Sequence, residues 1–427
     1  MNRKQKRELR KDKDLVKELY SIIVKYLPKL LDMFNDLTDV RNKSYVSYEM
    51  KTICVTRLFS LLCGLTTMTD ISNKLESDIS IKNISKICGQ QLDELPYWET
   101  IQDVFININT DELRNIQKYI VISLIRSKMF DKYRFQDKFQ LLFDGTGLSN
   151  HNYNLNNNCL KRKHKDGKIS YYKYVLECKL VVGNIVISLD SEFVENKDML
   201  TYKQKQDCEI NAFKRMIKRI KKNYPKYKFI ITGDALYATS PIIKLCKKYK
   251  WNYIFNFKPD RLKEINEFFE SNIKLNNETN LKNYYLSSSI DFKGNLINII
   301  KYIESKKNKE TTFRYITDLD VKNNNIESIV VLGRNRWKIE NEGFYIQKHR
   351  TFNITHLNSR NDTAMKNHYF FIQFAHTIRQ LLEQGNILTK SLRLKIKEIS
   401  EFLLNTLTSI ISDLNNLVTN FQLRFDT

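Results

Sequence analysis

The chain has 427 residues, of which 42% are hydrophobic, and this is enough for a folded protein with a substantial core. Lys and Arg number 71 against 48 Asp and Glu, so the formal charge of +23 favours a polyanionic partner, with nucleic acid as the first candidate. No run approaches the roughly 18 apolar residues of a membrane-spanning helix, and no signal peptide is evident. Seven scattered cysteines form neither a disulfide framework nor a CxxC pair, so we expect a cytoplasmic protein without a membrane partner.

Residues 1–133 are predicted to form a helical N-terminal region. Apolar residues such as Leu15, Leu19 and Ile22 recur at helical spacing, and the pattern breaks near Pro28, Gly89 and Pro96. Such a region could bind DNA ends, although its apolar stripes are more simply explained as core.

Residues 134–259 are predicted to be the first part of an α/β core. The apolar run Phe139 to Phe143 stops at Asp144-Gly145, which predicts a buried strand that ends in a glycine turn and exposes Asp144. Two β-rich runs, 174–182 and 185–194, flank a Gly-Asn dipeptide suited to a hairpin. Three antiparallel strands are therefore expected in succession.

The same core continues with alternating helices and strands. Ile210, Phe213, Ile217 and Ile220 mark one buried face of a helix predicted over 205–222. A strand over 229–232 leads into Gly233-Asp234, and a helix over 241–249 and a strand over 253–257 follow. The order βββαβαβ is that of an RNase H-like core, and its assembly into that fold is an analogy.

Residues 260–334 interrupt this core with a Lys- and Asn-rich stretch. Its β-like runs, 284–288, 296–303 and 312–317, predict a β-rich insertion. Residues 335–427 are predicted to be helical, over 337–349 and from 363 to about 423, and to complete the catalytic core. The expected fold class is α/β: an RNase H-like mixed sheet with a β-rich insertion, flanked by N- and C-terminal helical regions.

Three carboxylates fall at positions suited to metal chemistry. Asp144 and Asp234 lie at predicted strand ends, and Glu340 lies on a predicted helix. Two divalent ions about 3.5–4 Å apart can activate a nucleophile and stabilise a leaving oxygen in phosphodiester transfer. Hard ions such as Mg²⁺ or Mn²⁺ prefer oxygen ligands, so this triad would suit two of them. Taken singly, each Asp is better explained by turn geometry or helix capping than by catalysis.

Around these carboxylates the sequence resembles the DDE insertion-sequence transposases of the cut-and-paste type. The matching strings are LLFDGTGL, YYKYVLECKLVVGNIVISLDSEFVEN, QDCEINAFKRMIKRIKK, ITGDALYA and GRNRWKIENEGF. The resemblance implies Asp144, Asp234 and Glu340 as catalytic metal ligands.

The third motif of that family contains a tyrosine, an arginine, a glutamate and a lysine at set spacing. Arg336 and Glu340 match, and the resemblance implies that Arg336 contacts DNA phosphate. The tyrosine position is Gly333, however, and the lysine position is Gln347, with Lys348 one place late. These departures concern the contacts with flanking phosphates.

Glu342 is the competing third carboxylate because it lies two residues after Glu340. At about 100° per helical residue, Glu340 shares a face with Arg336 and Gln347, whereas Glu342 points some 200° away. Helical geometry therefore selects Glu340.

Basic and aromatic residues near the triad are candidates for DNA contact. Lys161 to Lys165 are expected to form a flexible basic loop near Asp144. Trp337 and Tyr237 could stack on a flipped base; core packing is the simpler role for Trp337, while Tyr237 is expected to be more open. The basic face of the 205–222 helix could follow phosphates or be only a solvated face, and it includes Lys214, Arg215, Lys218 and Arg219.

Three functions fit these observations. The first is a transposase that cleaves transposon ends and transfers them into target DNA, with double-stranded terminal inverted repeats and target DNA as partners, a homodimer on the ends, and nucleoid association. The second is an RNase H-like nuclease without strand transfer. The third is a transposase-derived DNA-binding protein that no longer cuts. The intact triad argues against the third, and the resemblance favours the first.

Overall fold

The computed structural model of the protein describes residues 13–196, 206–272, 274–279, 282–306, 309–386 and 396–425. Helices occupy most of its part up to residue 133, which confirms the helical region predicted there. Leu15, Leu19 and Ile22 are fully buried, as their spacing predicts. The helices are α1 (Leu15–Tyr26), α2 (Leu30–Asn35), α3 (Met50–Leu62), α4 (Met68–Lys74), α5 (Asp78–Cys88), α6 (Trp98–Asn107) and α7 (Thr110–Arg126).

Four strands follow, and two of the predictions made for them are wrong. The strands are β1 (Phe139–His151), β2 (Leu160–Lys163), β3 (Ile169–Val182) and β4 (Ile185–Val194), of which the last two form the predicted hairpin. β1 does not end at Asp144, because pairing with β3 continues through it and sets Asp144 opposite Glu177. The basic segment predicted as a flexible loop over Lys161 to Lys165 is strand for its first three residues, which pair with β3 as part of β2, and only His164 and Lys165 lie beyond the strand.

The alternation of helices and strands after β4 is confirmed. It consists of α8 (Glu209–Asn223), β5 (Phe229–Gly233), α9 (Ser240–Lys248) and β6 (Asn252–Asn256). The predicted start of α8 at Lys205 lies outside the described residues. Phe213, Ile217 and Ile220 are buried, so this amphipathic helix packs its apolar face on the sheet.

The strands predicted between residues 260 and 334 are present and extend the same sheet. The elements are α10 (Lys263–Asn272), β7 (Lys274–Thr279), β8 (Lys282–Asp291), β9 (Leu296–Lys306), β10 (Lys309–Thr317) and α11 (Ile326–Arg334). β10 pairs antiparallel with β6, with Ile316 opposite Phe255. The backbone hydrogen bonds at the edge of β6 are thus satisfied by the added strands.

The C-terminal part begins with an irregular helix. Ile339–Phe344 is a π-helix and continues as α12 (Tyr345–His349), so the regular helix predicted over 337–349 is wrong in its first half. α13 (Asp362–Gln384) and α14 (Ile396–Ser409) follow. α13 is the central helix of the helical layer, and its Phe371 stacks on Phe34 of α2. N- and C-terminal helices therefore share one core.

The described strands form one ten-stranded sheet in the order β2-β3-β1-β5-β6-β10-β9-β8-β7, with β4 paired to β3. β1 is antiparallel to β3 and parallel to β5, and β5 is parallel to β6. This order of β4, β3, β1, β5 and β6, with helices on the sheet, is that of an RNase H-like core. The fold is α/β with a mixed sheet and flanking helices, as predicted. None of the helices in the described ranges is long and apolar enough to cross a membrane.

Candidate active site

Two neighbouring parallel strands place Asp144 and Asp234 side by side. The last paired residues of β1 and β5 are Leu142 and Thr232, and each aspartate lies two residues further along its own strand direction. The Asp144 Oδ1 atom accepts the Gly145 amide at 2.9 Å, and the Asp234 Oδ1 atom accepts the Leu236 amide at 2.7 Å. Both carboxylates are thus held at the same end of the sheet by their own backbone.

A small apolar cluster fixes the helix that carries Glu340. Leu142 and Val181 from the sheet pack against Ile339 and Phe344 of the π-helix. Leu142 lies two residues before Asp144, and side chains two apart in a strand share a face. The π-helix therefore lies on the sheet face to which the Asp144 carboxylate points.

Arg336 joins the first and third carboxylates. Its Nη1 atom lies 3.4 Å from Asp144 Oδ2 and 3.2 Å from Glu340 Oε1. Its side chain is only 8% exposed, and its guanidinium lies over the Trp337 ring at 4.4 Å. A shielded guanidinium thus occupies the space between two of the three carboxylates.

The electrostatics of Asp144 show a concentration of negative charge. Burial raises the pKa of Asp144 to about 7, and the carboxylates of Glu209 and Glu340 act in the same direction, whereas Arg336 opposes them. A carboxyl group in this environment is stabilised in its ionised form by a nearby cation. Arg336 supplies part of that positive charge.

The three carboxylates suit a hard divalent ion in their chemistry, but they do not lie close enough together to coordinate one. In the part of the chain that the structure describes, no group of three or more His, Cys, Asp and Glu side chains lies close enough together to hold a metal ion. All three candidate ligands offer carboxylate oxygens, the donors that Mg²⁺ and Mn²⁺ prefer. The residues therefore fit such an ion in kind, and Arg336 would have to leave its place between Asp144 and Glu340.

Glu342 lies apart from this group of charges. Its pKa is raised by burial, and the neighbouring charge that acts on it is Lys338. Glu340, by contrast, shares Arg336 with Asp144. The i and i+4 relation between Arg336 and Glu340 holds as predicted from helical spacing.

The model of the transposase DDE domain family matches residues 140–378, which is more than half of the chain and includes all three carboxylates. The chain belongs to this family. A search of curated proteins gives no match. The family usually acts with divalent metal and on DNA.

The late lysine of the third family motif, Lys348, lies just beyond the π-helix. A π-helical turn contains about one residue more than an α-helical turn, so the following residues are displaced by one position around the helix. Gln347 is buried and its Nε2 atom donates to Gln373 Oε1 at 2.8 Å, so it does not share the face of Glu340 as predicted. Lys348 instead interacts electrostatically with Asp144. Burial lowers the pKa of Lys348, and the Asp144 carboxylate opposes that shift.

The missing tyrosine of the motif also has a structural counterpart. A Cβ atom at Gly333 would lie 2.5 Å from Cε1 of Tyr315, so the Tyr315 ring fills the space of a side chain at that position. Tyr315 comes from β10 and is 2% exposed. The space beside Gly333 is thus filled by a buried tyrosine ring from the strand insertion.

The two aromatic candidates have exchanged their expected environments. Tyr237 is 1% exposed and packs against Phe143, Phe213 and Phe255, so the prediction that it is open to a base is wrong. Trp337 is 48% exposed, so core packing is not its role. Because Trp337 lies beside Arg336, it is an exposed aromatic surface at the site.

The basic face of α8 is divided into two sets. Arg215 and Arg219 bind carboxylates: Arg215 Nε lies 2.6 Å from Glu192 Oε1, and Arg219 Nε lies 2.7 Å from Asp190 Oδ2. Lys214 and Lys218 are exposed. The two arginines therefore serve to hold α8 on the sheet, and the two lysines remain as candidates for phosphate contact.

Glu209, within the string QDCEINAFKRMIKRIKK, is a residue of the site that the sequence does not identify. It is the first residue of α8, and it accepts hydrogen bonds from the hydroxyls of Tyr174 and Tyr237. Its own signal in the sequence is weak, because a single glutamate at a helix start is common as a partner of the helix dipole.

Proposed function

We propose that the chain is a cut-and-paste transposase that cleaves the ends of its element and joins them to target DNA. Asp144, Asp234 and Glu340 would hold two Mg²⁺ or Mn²⁺ ions. The observation that carries the proposal is the meeting of Asp144, Glu340 and Arg336 beside Asp234, on the strand and helix positions of an RNase H-like core. The proposed partners are double-stranded terminal inverted repeats and target DNA, bound by a homodimer.

When bound, the ions would activate water or a 3′-hydroxyl and stabilise the leaving oxygen. The protein's own part is to bind and orient the DNA. Arg336 would exchange its two carboxylates for a phosphate oxygen when the ions neutralise Asp144 and Glu340, since a guanidinium binds phosphate in a bidentate manner. Lys348 and Trp337 would contact the same DNA segment, and Lys214 and Lys218 would follow phosphates further away.

The test uses DNA that carries the sequences flanking the native gene. Wild-type protein with Mg²⁺ should nick or cut at the ends and should join them to a supercoiled plasmid. Asp144→Asn and Asp234→Asn should bind the same DNA in a gel shift. Their cleavage rate should fall by at least roughly a thousandfold, because each change removes several kcal/mol of transition-state stabilisation by the metal ions.

Cleavage without joining would favour the nuclease and contradict strand transfer. Binding without either reaction would favour the non-catalytic DNA-binding protein. Near wild-type cutting by either variant would remove that aspartate from the site.

A further inference from the structure

The two catalytic strands each carry a glycine next to the aspartate. Gly145 follows Asp144 within β1, and Gly233 precedes Asp234 at the end of β5. Side chains alternate along a strand, so a side chain at 145 would point to the face opposite the Asp144 carboxylate. That opposite face is covered by α8.

Tyrosine rings occupy the space beside both glycines. A Cβ atom at Gly145 would overlap the hydroxyl end of Tyr174 and lie 2.6 Å from Glu209 Oε2. One at Gly233 would lie 2.6 Å from Cδ2 of Tyr237. Both positions therefore require glycine for the close approach of a neighbouring ring.

Both tyrosines donate to a single carboxylate. Tyr174 Oη lies 2.8 Å from Glu209 Oε2, and Tyr237 Oη lies 2.6 Å from Glu209 Oε1. Burial raises the pKa of each tyrosine, and the Glu209 charge raises it further, so both hydroxyls keep their protons and act as donors. We call this unit of Tyr174, Glu209 and Tyr237 the tyrosine bridge.

The bridge lies beyond the point at which backbone pairing joins the two strands. Pairing of β1 with β5 ends at Leu142 and Thr232, two residues before the aspartates. Further along, the bridge runs from Tyr174 of β3, whose ring packs on Gly145 of β1, through Glu209 to Tyr237, whose ring packs on Gly233 at the end of β5. It is thus placed to control the separation of the two carboxylates.

We propose that Glu209 is a positioning residue that sets the spacing of Asp144 and Asp234 for binding divalent ions. This inference rests on the proposed function. Glu209 acts through Tyr174 and Tyr237, because each of its oxygens already accepts a tyrosine hydroxyl. It is therefore not proposed as a fourth metal ligand.

A role in holding α8 alone is the simpler alternative. α8 buries Ala212, Phe213, Met216, Ile217 and Ile220 and forms ion pairs through Arg215 and Arg219. These contacts keep the helix on the sheet when the bridge is broken. Loss of the bridge should therefore change metal binding more than folding.

The experiment compares Glu209→Gln and Tyr237→Phe with Tyr224→Phe. Tyr224 is also buried at α8, but its hydroxyl donates to Leu189 O at 3.4 Å, away from the aspartates. The first readout is the rise in melting temperature with Mn²⁺, which requires no cleavage. The second is the rate of end cleavage as a function of Mg²⁺ concentration.

Both bridge variants should bind end DNA as the wild type does. The Mn²⁺ concentration that gives half of the rise in melting temperature should increase at least about tenfold. The cleavage rate should fall by about a hundredfold, since a displacement of 1 Å at the reacting groups can reduce a rate by that factor. Tyr224→Phe should leave both quantities unchanged. Tyr237→Phe keeps the test open if Glu209→Gln does not fold, because it removes one hydrogen bond and no charge.

A wild-type Mn²⁺ midpoint in folded Glu209→Gln or Tyr237→Phe would overturn the proposal. So would an equal change in Tyr224→Phe, which would show a general effect of lost stability. Asp144→Asn distinguishes the underlying function: if it keeps the full response to Mn²⁺, the metal site itself is wrong, and this inference fails with it.

Discussion

The strand-borne and helix-borne halves of the site are built in different ways. Asp144 and Asp234 are fixed by sheet pairing and by hydrogen bonds to their own backbone. Glu340 lies in a π-helix, its side chain is 41% exposed, and its partner is the Arg336 guanidinium. Under the proposed function, the strands hold two of the ligands in place, whereas Arg336 must leave Glu340 before the helix can contribute the third.

The largest effect should separate the two glutamates of the helix. Glu340→Gln should reduce cleavage and joining by roughly a thousandfold, because it removes a ligand charge from the ions. Glu342→Gln should retain most of both activities, because Glu342 faces Lys338 and does not share Arg336. Rates of end cleavage on matched amounts of folded protein measure the difference.

If folded Glu342→Gln is dead and Glu340→Gln still cuts, the helix-borne half has been assigned to the wrong residue. Melting temperatures of both variants serve as the control for folding.

The next effect concerns Asp144 in the absence of metal: ionisation of its carboxyl group should lower the stability of the fold. The folded pKa of Asp144, about 7, lies above its ordinary value of 3.8, because of burial and nearby carboxylates. The folded carboxyl therefore keeps a proton that the unfolded chain loses, so its contribution to stability is full below pH 4 and is lost as pH rises toward about 7. Asp144→Asn should remove this loss.

At pH 8 without divalent ions, Asp144→Asn should be more stable than the wild type by about 2–4 kcal/mol. At pH 4 the two should be nearly equal. Urea unfolding at both pH values measures this. Added Mg²⁺ should stabilise only the wild type and narrow the gap, since an ion that binds the folded state shifts unfolding by mass action. Equal stability of the two proteins at pH 8 would contradict the raised pKa of Asp144.

The sequence predicted the strand-borne half better than the helix-borne half for physical reasons. An apolar run followed by Asp-Gly identifies a buried strand near Asp144, but whether the strand continues depends on its pairing with β3, a contact distant in sequence. Burial of Tyr237 likewise depends on α8 and β6. The π-helix leaves no periodic signal, because its extra residue is absorbed by packing of Ile339 and Phe344 on the sheet.

Both departures from the third family motif belong to the helix-borne half. The space beside Gly333 is filled by Tyr315 from β10, a contact that no pattern near residue 333 could show. The ion pairs that divide the basic face of α8 are also invisible in the sequence, since their carboxylates come from β4 and its neighbourhood. Local periodicity gave the elements, and contacts between distant residues decided the roles of side chains.

A smaller effect should test the shift of the lysine. Lys348→Gln should weaken binding of end DNA about tenfold, as expected for loss of a charge-assisted contact of roughly 1.5 kcal/mol. The exchange Gln347→Lys with Lys348→Gln should not restore binding, because position 347 is buried against Gln373. His349→Ala, a change at an exposed neighbour, is the control. Recovery in the exchanged protein would show that the helix is regular there and that the π-helix does not explain the shift.

The smallest effect lies on α8, outside both halves of the site. Lys214 and Lys218 are exposed, whereas Arg219 binds Asp190, whose side chain is only 6% exposed. Replacing both lysines with Gln should lower the slope of log K against log salt by about 1.8, if each neutralises one phosphate, and leave thermal stability unchanged.

Arg219→Gln should behave in the opposite way. It removes a positive charge that pairs with the buried Asp190 carboxylate, so the melting temperature should fall while the salt slope stays close to that of the wild type. Gel shifts at rising salt, together with melting curves, measure both quantities. The contrast is between neighbouring residues of the same helix. A salt slope that falls equally in the two proteins would therefore show that the ion pair with Asp190 opens when DNA binds and that the whole basic face of α8 contacts phosphate.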